Sequence, residues 1–174
     1  MTRTLLIVYH SMTGGTRQMA EAAAEAARCE AAGAADDSAG VPVEVRLLHA
    51  SAAGPADVLA AHGYLFATPE NLAAIAGLMK DFFDRSYYGA LDRINGRPYA
   101  SLICAGSDGR NAARQIERVA TGWRLVAVAE PLIVCTHAQT PEQILQTQQI
   151  AAADLQRCAE LGAAMAAGLA LGVY

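Results

Sequence analysis

Ser11, Thr13 and Thr16, set around Gly14 and Gly15, are residues whose types and spacing suit the binding of an anion. The hydroxyls donate hydrogen bonds without adding positive charge, and the glycines remove side chains where backbone must come close to a ligand. No lysine follows the glycines, as a nucleoside triphosphate loop requires, and the Gly-x-Gly-x-x-Gly spacing of a dinucleotide site is absent. The hydroxyl-rich, lysine-free stretch Ser11-Met12-Thr13-Gly14-Gly15-Thr16 therefore points to a phosphomonoester. The alternative is an ordinary strand-to-helix turn that binds nothing.

An element must aim such a loop, and the residues on either side supply one. Leu5 to Val8 is an apolar run that reads as a buried parallel strand, and helical spacing of Met19, Ala20, Ala23 and Ala27 begins after Thr16, with Glu21, Glu25 and Arg28 as a solvated stripe. A helix starting near Thr16 offers unpaired backbone N–H groups and the positive end of its dipole to the loop. Ala32 to Gly40 reads as a loop, Val43 to Leu48 as a second strand whose Glu44 and Arg46 suggest a sheet edge, and Pro55 to Ala61 as a short helix. Gly63 to Ala67 is a third apolar strand ending in a loop, Thr68-Pro69-Glu70-Asn71-Leu72. The pattern of Ile75, Leu78, Met79, Phe82 and Phe83 predicts a helix with Lys80–Asp84 and Asp81–Arg85 pairs outside.

Asn95 to Pro98 reads as a turn, and Tyr99 to Cys104 as a fourth strand running into Ala105-Gly106-Ser107-Asp108-Gly109. A helix with Ala112, Ile116 and Val119 inward stops near Gly122. Leu125 to Cys135 is strand-like but broken by Pro131, as an edge strand or a connector plus a short final strand would be. Thr140-Pro141-Glu142-Gln143 has capping-box spacing and predicts the start of a long last helix, with Ala151, Leu155, Cys158, Gly162 and Met165 buried. Strands alternating with helices imply a parallel sheet wrapped on both faces. In strand order 2-1-3-4-5 the loops after strands one, three and four converge on one crevice.

Read together, Ser11 to Thr16, the stretch Ala67 to Arg85 and Ala105 to Gly109 resemble, in order, the phosphate loop, the loop and helix after the third strand, and the Gly/Ser-rich ring loop of the flavodoxin-like superfamily. The likeness is to its NAD(P)H-dependent FMN reductases and NAD(P)H:quinone oxidoreductases. It implies a flavodoxin-like three-layer α/β sandwich with a five-stranded parallel sheet, residues 1–174 forming a single FMN-binding domain. FMN phosphate would sit on Ser11 to Thr16, and the flavin ring between Thr68–Leu72 and Ala105–Gly109. Backbone around Glu70 and Asn71 would meet the N5 edge, and Gly106 and Gly109 would let backbone approach the pyrimidine edge. The side chains of Asn71 and Asp108 could equally cap their own loops. His137 could reach the ring or be a surface loop residue, and Tyr87, Tyr88 and Trp123 could cover it from a neighbouring subunit or pack at helix ends. Neither ring loop contains Trp or Tyr, which favours an enzyme with an open flavin face, fed by NAD(P)H and discharging to a quinone-like acceptor, over a flavodoxin carrying electrons to a protein partner.

A different chemistry lies in Cys104 to Arg110, which has the Cys-x5-Arg spacing of the protein tyrosine phosphatase loop, with thiolate attack and a bidentate Arg. Against it, Cys104 reads as an inward strand residue and Asn111 stands where Ser or Thr should follow the Arg. A receiver domain needs acidic residues at the end of the first strand, where Tyr9 and His10 stand. The net charge of −4 and pI near 5.5 argue against a nucleic-acid partner. Four cysteines without a Cys-x-x-Cys indicate neither a metal site nor a redox pair. No signal segment precedes the first strand, and Leu161 to Val173 is too short to span a membrane, leaving packing or homo-oligomer contact and a cytoplasmic setting as expectations.

Overall fold

The computed structural model describes residues 2–36 and 40–174. β1 (Arg3–Tyr9) is central to a parallel sheet of order β2-β1-β3-β5-β6, with β2 (Val43–His49) at one edge, β3 (Gly63–Asn71) and β5 (Pro98–Ala105) inside, and β6 (Val126–Ala127) at the other. β7 (Leu132–Cys135) also runs parallel to β5, so the predicted fifth strand exists as two fragments on either side of Pro131. This is the 2-1-3-4-5 order expected from the sequence. The described residues add β4 (Ala74–Ile75), which pairs antiparallel with the end of β3.

Both faces of β1 are buried, which explains its uninterrupted apolar run. Leu5 and Ile7 point into a core shared with α1 (Gly15–Asp36) and α6 (Ala152–Leu171). Leu6 and Val8 point into another, shared with α2 (Pro55–Ala60), α3 (Gly77–Ala90) and α4 (Arg110–Gly122). Trp123 packs there against Phe66, Phe82 and Phe83. The Lys80–Asp84 and Asp81–Arg85 pairs form as predicted, at 2.7 and 2.6 Å.

Four expectations are corrected. α1 continues through Asp36 where a loop from Ala32 is predicted; Asp37, Ser38 and Ala39 lie outside the described residues. Thr68 to Asn71 belongs to β3 rather than to a loop, because β5 pairs with it as far as Pro69 and β4 folds back on Glu70 and Asn71. Leu72 and Ala73 make the turn, both with positive φ (49° and 57°), the geometry of a two-residue I′ hairpin. Ile75 is consequently in β4 and α3 starts at Gly77, leaving Leu78 exposed. Finally, the capping box at Thr140 and Gln143 forms, but its helix α5 (Pro141–Leu145) stops after five residues. Residues 146–151 run outside any helix before α6, and Ala151 is exposed at its N-cap, while Cys158, Gly162 and Met165 are buried as expected.

Candidate functional site

At the end of β1 the chain turns through Gly14, whose φ of +89° suits glycine and whose N–H donates to Ser11 Oγ at 3.1 Å. The first intrahelical bond of α1 is from Gln18 N–H to the Gly14 carbonyl, so the amides of Gly15, Thr16 and Arg17 have no protein acceptor among the described residues. Thr16 is 1% exposed, and its Oγ1 has no oxygen or nitrogen partner, only the weak sulfur partner of the Cys104 thiol beside it. A Cβ on Gly15 would lie 2.8 Å from Cys104 Sγ and 3.3 Å from Gln148 Cβ, so only glycine fits under this cover. Free amides, a buried hydroxyl with only a weak sulfur partner and a helix dipole with no lysine nearby suit a phosphomonoester, the end of FMN that the sequence likeness assigns to this loop.

The hairpin after β3 is held by side chains reaching to and from α4. Gly109 and Ala112 N–H donate to the two carboxylate oxygens of Glu70 at 3.2 and 3.1 Å. Asn111 Nδ2 donates to the Ala73 carbonyl, and Ile75 N–H donates to Gln115 Oε1 at 3.0 Å. Glu70 thus caps α4 from outside the helix and occupies its anion-attracting end. Thr68 is fully buried, its Oγ1 accepting from Ala76 N–H at 3.2 Å and closing the hairpin from beneath. Asn71 Nδ2 approaches Met12 Sδ at 3.6 Å, bringing the first two loops together.

Between these loops lies a cavity of about 470 Å³, within the range of small-molecule sites. Ser11, Met12, Thr13, Thr16, Pro69, Glu70, Asn71, Leu72, Ala105 and Gly106 line it. Gly14 and Gly15 shape the loop without lining the cavity. Thr68, Ser107, Asp108 and Gly109 do not line it either. Asp108 is engaged by Arg110, whose guanidinium holds its carboxyl below the ordinary range. A Cβ on Gly109 would meet Ile133 and Ala105, so packing and the left-handed start of α4 call for glycine here. His137 is an exposed loop residue; neither it nor Tyr87, Tyr88 or Trp123 lines the cavity. Tyr9 and His10 stand outside as well. His10 Nδ1 lies 3.1 Å from His49 Nε2, and burial, then His49, push its pKa down.

Sequence reasoning missed Thr136, Ala138, Ile144, Leu145 and Gln148, which also line the cavity. They come from the chain between β7 and α6, where the only local signal was the capping box. Cys104 lines it too, but burial pushes its thiol up to about 11, the reverse of an activated nucleophile. Arg110 is exposed and paired with Asp108, so no phosphatase clamp forms.

A family model described as NADPH-dependent FMN reductase matches residues 4–140. A flavodoxin from Aquifex aeolicus is 32% identical over 105 residues, 60% of this chain, and the match spans about half (51%) of that relative's length. Among solved structures, a flavodoxin from the domain Archaea superposes with a TM-score of 0.72 at 16% identity, covering 95% of this chain and 98% of that one. A WrbA-like flavodoxin from Agrobacterium tumefaciens superposes with a TM-score of 0.71 at 18% identity, covering 96% and 97%. No described helix is long and apolar enough to cross a membrane. With residues 4–140 under one family model and the flavodoxin fold throughout, the chain belongs to the NADPH-dependent FMN reductase family.

Proposed function

We propose that this protein is an NAD(P)H-dependent oxidoreductase that uses FMN to pass electrons to a quinone-like small acceptor. The observation that carries the reading is the lining of the cavity, which has a hydroxyl-rich helix start at one loop and, among the described residues, no Phe, Tyr, Trp or His. When bound, FMN supplies the hydride chemistry. The amides of Gly15, Thr16 and Arg17 and the Thr16 hydroxyl bind its phosphate, and Glu70 holds the hairpin and α4 so that Pro69 to Leu72 and Ala105 to Gly106 flank the ring. Without an aromatic cover, one face of the ring is left for a nicotinamide and then an acceptor. No side chain of the cavity is assigned a proton-transfer role.

A second reading, an electron carrier serving a protein partner, is favoured by the 32% identity to a flavodoxin. Anaerobic titration of the FMN-loaded protein separates the two. Stoichiometric bleaching of the flavin bands by NADPH or NADH, followed by reoxidation with a soluble quinone, is the expected outcome. Bands that ignore both nucleotides yet give a stable semiquinone with dithionite would establish the carrier instead.

A further inference from the structure

α5 is a helix of five residues that buries none of them, so core packing does not explain why it forms. Its two large aliphatic side chains, Ile144 and Leu145, are 50% and 75% exposed and line the cavity. The segment is nevertheless fixed in place, and the fixing point is the phosphate loop. Gln148 N–H donates to the Thr13 carbonyl at 2.8 Å, and Gln148 Nε2 ties back to the Gln143 and Gln146 carbonyls at 2.7 and 3.0 Å. Gln18, in the first turn of α1, acts as a bolt: its Nε2 donates to the Gly14 and Gln148 carbonyls at 3.1 and 2.7 Å, and its Oε1 accepts from Ile150 N–H at 3.2 Å. The same helix start that offers amides to an anion therefore sets where α5 stands.

We propose that α5 is a further wall of the flavin site, with Ile144 and Leu145 packing against one side of the isoalloxazine ring while the other face stays open to a nicotinamide, and with Gln18 as the positioning residue that sets this wall to the phosphate loop. This rests on the FMN reading above. The occupant is the ring rather than the phosphate end because hydroxyls and free amides surround Thr16, whereas Ile144 and Leu145 present only hydrocarbon. An aliphatic wall buries ring surface without the face-on π contact of an aromatic one.

The test compares FMN and riboflavin binding, by flavin fluorescence titration and visible spectra, in wild type, the double variant Ile144→Ser/Leu145→Ser and Gln18→Ala. Both serines replace exposed side chains, so folding is retained. The double variant is expected to weaken FMN and riboflavin by the same factor, about tenfold, because the phosphate contacts are untouched. The resolved vibronic shoulder of the bound flavin band, a sign of an apolar wall, is expected to blur in both variants. In Gln18→Ala the Ile150 amide should also exchange hydrogen faster in the ligand-free protein. Wild type that binds FMN alongside a double variant with unchanged affinity and spectrum for both flavins overturns the proposal. Unchanged exchange at Ile150 and an unchanged spectrum in Gln18→Ala overturn the role of Gln18. Wild type that retains no flavin overturns the FMN reading itself, and this proposal with it.

Discussion

Thr16 is the residue at which binding and stability pull apart. A buried hydroxyl without a partner costs about 1–3 kcal/mol, and in the ligand-free chain Thr16 Oγ1 offsets only part of that cost, through the weak sulfur partner Cys104. Thr16→Val removes the hydroxyl and keeps the shape, so the ligand-free protein should melt at a higher temperature while FMN binds about tenfold more weakly, a charge-assisted hydrogen bond being lost. Riboflavin, which has no phosphate, should bind the variant as it binds wild type. Calorimetric melting and paired titrations read both effects, and unchanged FMN affinity would remove Thr16 from the phosphate site. The buried Cys104 thiol beside it, pushed up to about 11, remains neutral at physiological pH and adds no negative charge to repel a phosphate.

The strand-end hairpin and α4 behave as one unit. Leu72 and Ala73 hold left-handed conformations that cost about 1–2 kcal/mol per non-glycine residue, and the bonds from α4 to Glu70, Ala73 and Ile75 hold them there. α4 in turn has no capping side chain of its own, since Gly109 is its N-cap. Glu70→Ala leaves the Gly109 and Ala112 amides without their acceptor and frees the hairpin. Urea unfolding should show a loss of about 1–3 kcal/mol, with Glu70→Gln, which keeps one carbonyl acceptor, between that variant and wild type. A midpoint unchanged in Glu70→Ala would show that solvent caps α4 equally well.

Across the whole molecule, the position of α1 depends on α6. Ala20, Ala23, Ala24 and Ala27 make one side of α1 flat, and Gly162 lets α6 lie against it. A Cβ at Gly162 would lie 2.7 Å from Ala23 Cα, a backbone overlap no rotamer relieves. Gly162→Ala should cost more than about 2 kcal/mol in guanidinium unfolding and should weaken FMN binding, because α1 carries the phosphate loop. Gly33, on the exposed side of α1 with nothing within 4 Å of its Cβ position, is the control. Gly33→Ala should stabilise by about 0.5–1 kcal/mol and leave flavin binding alone. Equal effects at the two positions would mean that helix propensity, not the α1–α6 contact, governs stability.

The strand-to-helix turn at Ser11 to Thr16 was legible in the sequence because its determinants are local: an apolar run, glycines and hydroxyls, and a helical period that begins where they end. The alternation of elements implied the parallel sheet, the resemblance to the flavodoxin-like superfamily supplied its strand order, and Pro131 marked the break between β6 and β7 for a reason confined to one residue. The hairpin was not legible, since Thr68 and Pro69 become strand by pairing with β5, about thirty-five residues further on, and the fold-back of β4 on Glu70 and Asn71 is held by α4 through the Glu70 carboxylate. Ile75 fits a helical period as well as a strand, and the β4 pairing together with the bond to Gln115 Oε1 decides between them. The last helix breaks after Leu145 because Gln148 and Ile150 give their amides to Thr13 and Gln18, more than one hundred and thirty residues earlier in the chain. A side chain's spacing encodes which face it shares with its neighbours, and that much the chain alone determined. Which distant donor or acceptor meets a given amide depends on the packing of the whole sheet, and only the tertiary structure decided the hairpin, the cap on α4 and the wall beside the cavity.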